Sequence, residues 1–136
     1  MTIGRVVALV AAAALWLSPS LLAHHSGADY AQGKRVTVKG VVKEWVYVNP
    51  HCFLVIEVMD DKGELVRWTA ETQAPSIIFP VGYRRDTFKA GDVVTLTVEP
   101  AKDGRPLGRI MQTVLPNGTT LGPANDVGLL ERLQKK

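Results

Sequence analysis

The sequence predicts an all-β fold, a small five-stranded barrel of the oligonucleotide/oligosaccharide-binding (OB) type. Apolar and polar residues alternate in five separate segments, which is the period of a half-buried strand. Clusters of Asp, Gly and Asn separate these segments and supply turns. The one short helical segment lies between the third and fourth strands, and this order is typical of an OB barrel. A small open sandwich is the alternative that the pattern leaves open.

Residues 1–23 have the composition of a secretory signal peptide. Arg5 follows a short polar start, and an almost unbroken apolar run covers residues 6–17. That run is shorter than the roughly 20 apolar residues that span a bilayer. We therefore expect cleavage after Ala23, export from the cytoplasm, and no transmembrane span in the mature chain.

The remainder of the chain divides into three parts. Residues 24–33 form a polar lead segment, residues 34–122 form the barrel domain, and residues 123–136 form a tail. The tail carries Val127, Leu130 and Leu133 and suggests a terminal helix. The formal net charge is +3 and the charges are interspersed, so a nucleic-acid partner is not expected.

The first strand is expected to be long and bent. It begins near Lys34, and its core face is expected to carry Val36, Val38, Val42, Val46 and Val48. Gly40 in its middle predicts a β-bulge or a sharp coil of the strand, a device that lets one strand pair in two halves of a closed sheet. Both faces are apolar over residues 45–48, so we expect this end to be covered on both sides.

The other elements follow the same alternation. Strands are predicted at 53–59, 64–71, 93–99 and 108–115, with turns at 60–63 and 101–105. Between the third and fourth strands, Pro75 and Pro80 limit any helix to one or two turns. Ile77, Ile78 and Phe79 are expected to plug the core from this helix.

Motifs of common enzymes are missing from the sequence. It contains no glycine-rich phosphate loop, no Gly-x-Ser-x-Gly and no His-Glu-x-x-His, and we do not predict an enzyme. Cys52 is the sole cysteine, so it is a buried small hydrophobe, a free thiol or a ligand. Neighbouring residues of an extended chain point in opposite directions, which argues against a joint site of His51 and Cys52.

The three histidines predict a copper site. If cleavage follows Ala23, His24 offers its α-amine and its ring, and His25 or His51 adds an imidazole. If Ala23 stays, a histidine is third from the free amine and deprotonated backbone amides complete a square-planar site. Nitrogen-rich flattened geometry of either kind favours Cu(II). Zinc is less favoured, because a structural zinc site needs four ligands.

Distance decides whether these histidines form one site. The lead covers at most roughly 33 Å when extended, whereas a straight first strand carries His51 about 43 Å away. A coiled strand shortens that separation. The alternative is a polar terminus together with a corner histidine that hydrogen-bonds its own turn.

Aromatic side chains suggest a second kind of surface. Trp45, Tyr47 and Phe53 are expected to line the barrel face on which OB folds stack extended ligands. The same face is the basis of an alternative function, a metal-independent module that docks onto a periplasmic or membrane-associated redox partner. It is also compatible with a purely structural role, covering the core under the capping helix.

Several short motifs together resemble one known family. They are His24-His25-Ser26, Asn49-Pro50-His51, Gly82-Tyr83-x-Arg85-Asp86 and Lys89-x-Gly91-Asp92. The chain resembles, over residues 24–121, the uncharacterised exported bacterial family catalogued as domain of unknown function 6152. The resemblance implies a compact β protein of the Gram-negative periplasm and brings no established activity. Cys52 and residues 79–81 depart from the family pattern, which leaves the length of the capping helix open.

Overall fold

A computed structural model describes residues 29–123 of the chain. The predicted signal peptide, His24 and His25, and the predicted terminal helix lie outside the described residues. The strands are β1 (Val36–Val46), β2 (Phe53–Met59), β3 (Leu65–Glu71), β4 (Val93–Pro100), β5 (Leu107–Val114) and β6 (Thr120–Leu121). The helix α1 (Pro75–Ile78) and a 3-10 turn (Phe79–Val81) lie between β3 and β4. The predicted order of three strands, a short helix and two strands is confirmed, and β6 is an addition.

Strand pairing closes the sheet into a barrel. The order is β3-β2-β1-β4-β5-β6, and β3 also pairs with β5. That closing pair is parallel, with Thr69 opposite Leu107 and Glu71 opposite Arg109. The closed barrel excludes the open sandwich. Its interior is filled by fully buried aliphatic side chains, among them Leu54, Ile56, Leu96 and Ile110.

Strand β1 belongs to both halves of the barrel, as its length predicts. It pairs with β4 over residues 36–41 and with β2 over residues 41–46. Of the two alternatives predicted at Gly40, the bulge is wrong for that residue, because the register shift lies between Val42 and Glu44. A Cβ atom at Gly40 would stand 2.5 Å from the carbonyl oxygen of Glu57. Glycine is therefore required there by the close approach of β2, and the bulge lies three residues further along the chain.

The capping helix fills the core differently from the prediction. Ile78 is fully buried, but Phe79 is 52% exposed, and the Arg84 guanidinium lies 3.6 Å from the centre of its ring. Successive helical residues are rotated by about 100°, so three consecutive side chains cannot all face one core. The buried rings of Tyr83 and Phe88 occupy this end of the barrel instead.

The end of β1 is covered less than expected. The strand ends at Val46, and Val48 in the following loop is exposed. Its side chain leaves the core face because the chain has already turned toward Asn49 and Pro50, which are joined by a cis peptide bond. Among residues 29–123, no helix is long and apolar enough to cross a membrane.

Candidate functional site

The segment before β1 lies across the barrel wall. Tyr30 forms an isolated bridge with Ala101, and the Ala31 amide donates to the Pro100 carbonyl at 2.9 Å. These contacts place residues 29–34, called here the strap, against the end of β4 and the loop that follows it. Tyr30 is only 2% exposed as a result.

Tyr30, Glu71 and His51 form one chain of contacts under the strap. The Tyr30 hydroxyl donates to Oε2 of Glu71, and Oε1 of the same carboxylate contacts Nδ1 of His51. Glu71 is 8% exposed, whereas the His51 side chain is 28% exposed. A buried acidic group is therefore held between a buried phenol and a histidine that solvent can reach. His51 thus contacts a residue of β3 through Nδ1 and not its own turn.

The strand pattern explains why Glu71 lies in this position. Ala70 points into the core, so alternation places Glu71 on the outer face of the barrel wall. Its cross-strand neighbours are Phe53 of β2 and Arg109 of β5. His51 directly precedes β2 in the chain, and the strap covers the carboxylate from outside. Three separate parts of the sequence meet here only because the barrel closes between β3 and β5.

A second buried carboxylate lies under the same strap. Glu99 of β4 accepts a hydrogen bond from Arg35 Nη1 at 2.6 Å, one from the Gly33 amide at 3.1 Å, and two from the guanidinium of Arg109. Arg109 also lies 5.6 Å from the centre of the Tyr30 ring. The first half of the strap is therefore held by Tyr30. Its second half is held by the Gly33 amide and by the ion pair of Arg35, the residue that directly follows the strap.

Burial controls the protonation of the Tyr30 phenol. Desolvation, followed by the hydrogen bond to Glu71, raises the pKa of Tyr30 well above its ordinary value. The phenol keeps its proton at neutral pH and acts as a donor. Every buried side-chain nitrogen and oxygen of residues 29–123 has a hydrogen-bond partner, so this cluster is internally satisfied.

The predicted aromatic face is divided between two sides of the barrel wall. The Trp45 ring packs edge-on against Phe88 at 4.9 Å between centroids, and its Nε1 donates to the Arg84 carbonyl at 2.9 Å. Tyr47 lies 5.8 Å from Trp45, and both rings pack on the core. Phe53 instead is a cross-strand neighbour of the outward-facing Glu71. Trp45 and Tyr47 are together, and Phe53 belongs to the surroundings of Glu71.

Cys52 is separated from His51 as extended geometry predicts. Its side chain is fully buried, and its Sγ donates to the Val48 carbonyl at 3.6 Å. Burial raises the pKa of the thiol. The residue packs as a small hydrophobe in the core.

Metal ligation by the described residues alone is not indicated. Within residues 29–123, no group of three or more His, Cys, Asp or Glu side chains is arranged to hold a metal ion. His24 and His25, the other two predicted ligands, lie outside the described residues. His51 is therefore the single predicted ligand whose surroundings the structure shows.

Comparison with known proteins gives one match. A family model described as "Family of unknown function (DUF6152)" matches residues 11–110. The chain belongs to this family. No curated protein and no solved structure matches this DUF6152 chain.

Sequence reasoning about this DUF6152 chain found His51 but missed Glu71 and Tyr30. Glu71 is a charged residue at the end of an otherwise half-apolar strand, and Tyr30 is an aromatic residue in a polar segment. Either feature is a signal that a partner is required. The partner itself was not visible, because it depends on how the strap crosses β4 and β5.

Proposed function

We propose that this protein is an exported, periplasmic β-barrel that binds a divalent metal ion, copper, through His51 and the histidines of its processed amino terminus. The observation that carries the proposal is the contact of His51 Nδ1 with Glu71. A metal-binding histidine usually donates the N–H of one ring nitrogen to a carboxylate, a backbone carbonyl or water, and it ligates the metal with the other nitrogen. Glu71 occupies the position of such a carboxylate, and the exposed part of His51 is then available for the metal.

The strap supports this proposal because its position shortens the distance that the chain must cover between His51 and the amino-terminal histidines. Tyr30 and His51 both contact Glu71, so the chain upstream of Tyr30 starts at the side of the barrel that holds His51. His25 is five residues before Tyr30. Five extended residues reach at most about 18 Å. The segment upstream of Tyr30 therefore begins at the side of the barrel that holds His51, and the proposal does not require His24 and His25 to bridge the length of β1.

Copper is the metal that this ligand chemistry favours. Imidazole and amine nitrogens in a flattened arrangement suit Cu(II). The free α-amine and ring of His24 offer two donors, and His51 adds an imidazole from the barrel. A retained Ala23 would place a histidine third from the amine, which gives a second nitrogen-rich arrangement. The proposed role is binding and not catalysis.

Titration of Cu(II) into the processed full-length protein tests the proposal. We expect His51→Ala and His24→Ala each to lower copper affinity at least about tenfold, because each removes a donor. We also expect electron paramagnetic resonance of the wild type to show several nitrogen ligands. Met59→Leu is the control, since Met59 is an exposed soft donor at the far end of β2 from His51. Copper binding that both histidine variants leave unchanged would contradict the proposal.

A second preparation tests the role of the amine. Protein with one additional residue before His24 moves the free amine away from the ring of His24. We expect a weaker complex with altered spectra. Identical binding by the two preparations would exclude the amine as a ligand.

A further inference from the structure

We propose that Tyr30 is a positioning residue of this site, which acts through Glu71 to hold His51 in the tautomer that carries its hydrogen on Nδ1. The bare nitrogen is then Nε2, and Nε2 becomes the atom that binds the metal. The inference rests on the proposed function for its effect on metal binding. The tautomer itself is measured without any metal.

The chemistry of the three groups determines the direction of each hydrogen bond. A phenol donates its hydrogen, and an ionised carboxylate has only acceptor atoms. The Tyr30 hydroxyl donates to Oε2 of Glu71, and Oε1 faces Nδ1 of His51. A contact between Oε1 and Nδ1 is attractive only when Nδ1 carries a hydrogen. In a neutral imidazole the other nitrogen, Nε2, then has a free lone pair.

Tyr30 contributes by fixing the Glu71 carboxylate, which accepts the hydrogen bond from His51 and so selects the tautomer. A glutamate side chain has several rotatable bonds, and a second hydrogen bond removes the freedom of its terminal torsion. Tyr30 itself is held in place, because it is only 2% exposed. Its backbone bridges to Ala101, and the next residue, Ala31, donates its amide to the Pro100 carbonyl. The neighbouring guanidinium of Arg109 is directed to Glu99.

The second nitrogen of His51 is placed for a ligand. Among residues 29–123, no hydrogen bond reaches Nε2, and the side chain retains 28% exposure. A partly exposed ring with one nitrogen fixed by a carboxylate is oriented before the metal arrives. Such orientation lowers the cost of ordering the ligand on binding.

Long-range proton–nitrogen NMR of metal-free, processed protein tests the tautomer. At about pH 8.5, where a free imidazole is neutral, we expect wild-type His51 to show a protonated Nδ1 and a bare Nε2. In Tyr30→Phe, which removes only the hydroxyl, we expect a mixture of both tautomers. Tyr47→Phe is the matched control, because the Tyr47 hydroxyl donates to the Pro75 carbonyl at 3.5 Å and makes no contact with Glu71.

Glu71→Gln supplies a second, independent variant. A glutamine can donate to a bare Nδ1 as well as accept from a protonated one, so the selection of one tautomer should be lost. We expect copper affinity to fall about 10- to 100-fold in Glu71→Gln, the usual effect of losing a partner behind a metal ligand. In Tyr30→Phe the loss should be smaller, roughly threefold to tenfold. Backbone amide spectra of each variant show whether the barrel is retained.

The outcomes separate this inference from the proposed function. A wild-type His51 with its hydrogen on Nε2 would overturn the inference, as would a folded Tyr30→Phe protein with unchanged tautomer and unchanged affinity. If the tautomer responds to both variants as expected but wild-type protein binds no copper, the proposed function fails and the role of Tyr30 stands.

Discussion

Glu99 is a buried residue whose charge contributes to the stability of the described fold. Burial works to raise the pKa of its carboxyl, but the hydrogen bonds from Arg109 and Gly33 and the charge of Arg35 outweigh burial and hold the pKa below its usual range. A carboxyl whose pKa is lower in the folded state stabilises that state at pH values above its unfolded pKa. The contribution is lost as the pH falls through the folded pKa.

We therefore expect Glu99→Gln to be destabilising in a manner that depends on pH. At pH 7 the charge-assisted hydrogen bonds of three donors are weakened, and the free energy of unfolding should fall by about 1–3 kcal/mol. As the pH falls through the folded pKa, the wild-type carboxyl takes up a proton, so the difference between the two proteins should shrink. Urea unfolding of both proteins at pH 7 and at a series of lower pH values measures this.

Glu64→Gln is the control for that experiment. Glu64 is exposed in the turn before β3, and an exposed substitution of this kind changes stability by less than about 0.5 kcal/mol. A loss in Glu99→Gln that keeps the same size from pH 7 down through the whole acid range would show that charge is not the cause.

Among the elements, β1 is the strand on which the barrel depends. It crosses from pairing with β4 to pairing with β2 near residue 41, and at Gly40 the β2 backbone leaves no room for a Cβ atom. We expect Gly40→Ala to lower the free energy of unfolding by about 1–3 kcal/mol or more, because the new methyl would press on backbone and not on a flexible side chain. Thermal or urea unfolding measures the change.

Gly122→Ala is the matched substitution at an uncrowded glycine. Its Cβ would meet only Val81, at 3.9 Å, which is ordinary van der Waals contact. We expect a change within about 0.5 kcal/mol. Equal stability of the two alanine variants would mean that β1 can move away from β2 without loss.

Alternation in the sequence predicts the strands well because each strand has one face in the core. The predicted bounds of the second strand, 53–59, are those of β2, and the other strands agree within one residue or two at most ends. The errors at Gly40 and Phe79 have a different origin. Both concern where one element lies against another, and local pattern carries no information about a neighbouring strand or the rotation of a one-turn helix.

The candidate site was predictable only in part for the same reason. His51 is visible in the sequence because it is one of three histidines and follows a proline at the end of the predicted first strand. Its contact with Glu71 spans 20 residues, and that of Tyr30 with Glu71 spans 41. Pairing of β3 with β5 and the path of the strap create both contacts. Neither feature leaves a local signature.

At the scale of the whole molecule, the chain combines a closed barrel with a sequence that predicts export. We expect the full-length chain, expressed in a Gram-negative host, to accumulate in the periplasm with His24 as its first residue. Mass spectrometry of the periplasmic fraction measures the cleavage position. A first residue of Ala23 would instead favour the arrangement with a histidine third from the amine.

Interrupting the apolar run provides the control for export. Leu9→Arg together with Leu15→Arg places two charges in residues 6–17, which should prevent recognition as a signal peptide. We expect this variant to remain unprocessed in the cytoplasm. Intact wild-type precursor in the cytoplasm would contradict the predicted compartment.

The course of the strap also affects how the protein should be prepared. Because Tyr30 contacts Glu71, which also contacts His51, a peptide fused in front of Tyr30 is joined to the barrel at that side. Under the proposed function, a purification tag of histidines at the amino end would place foreign imidazoles within reach of the metal site and compete for copper. Material for copper work should therefore carry its tag at the carboxyl end and obtain its amino terminus from the natural cleavage.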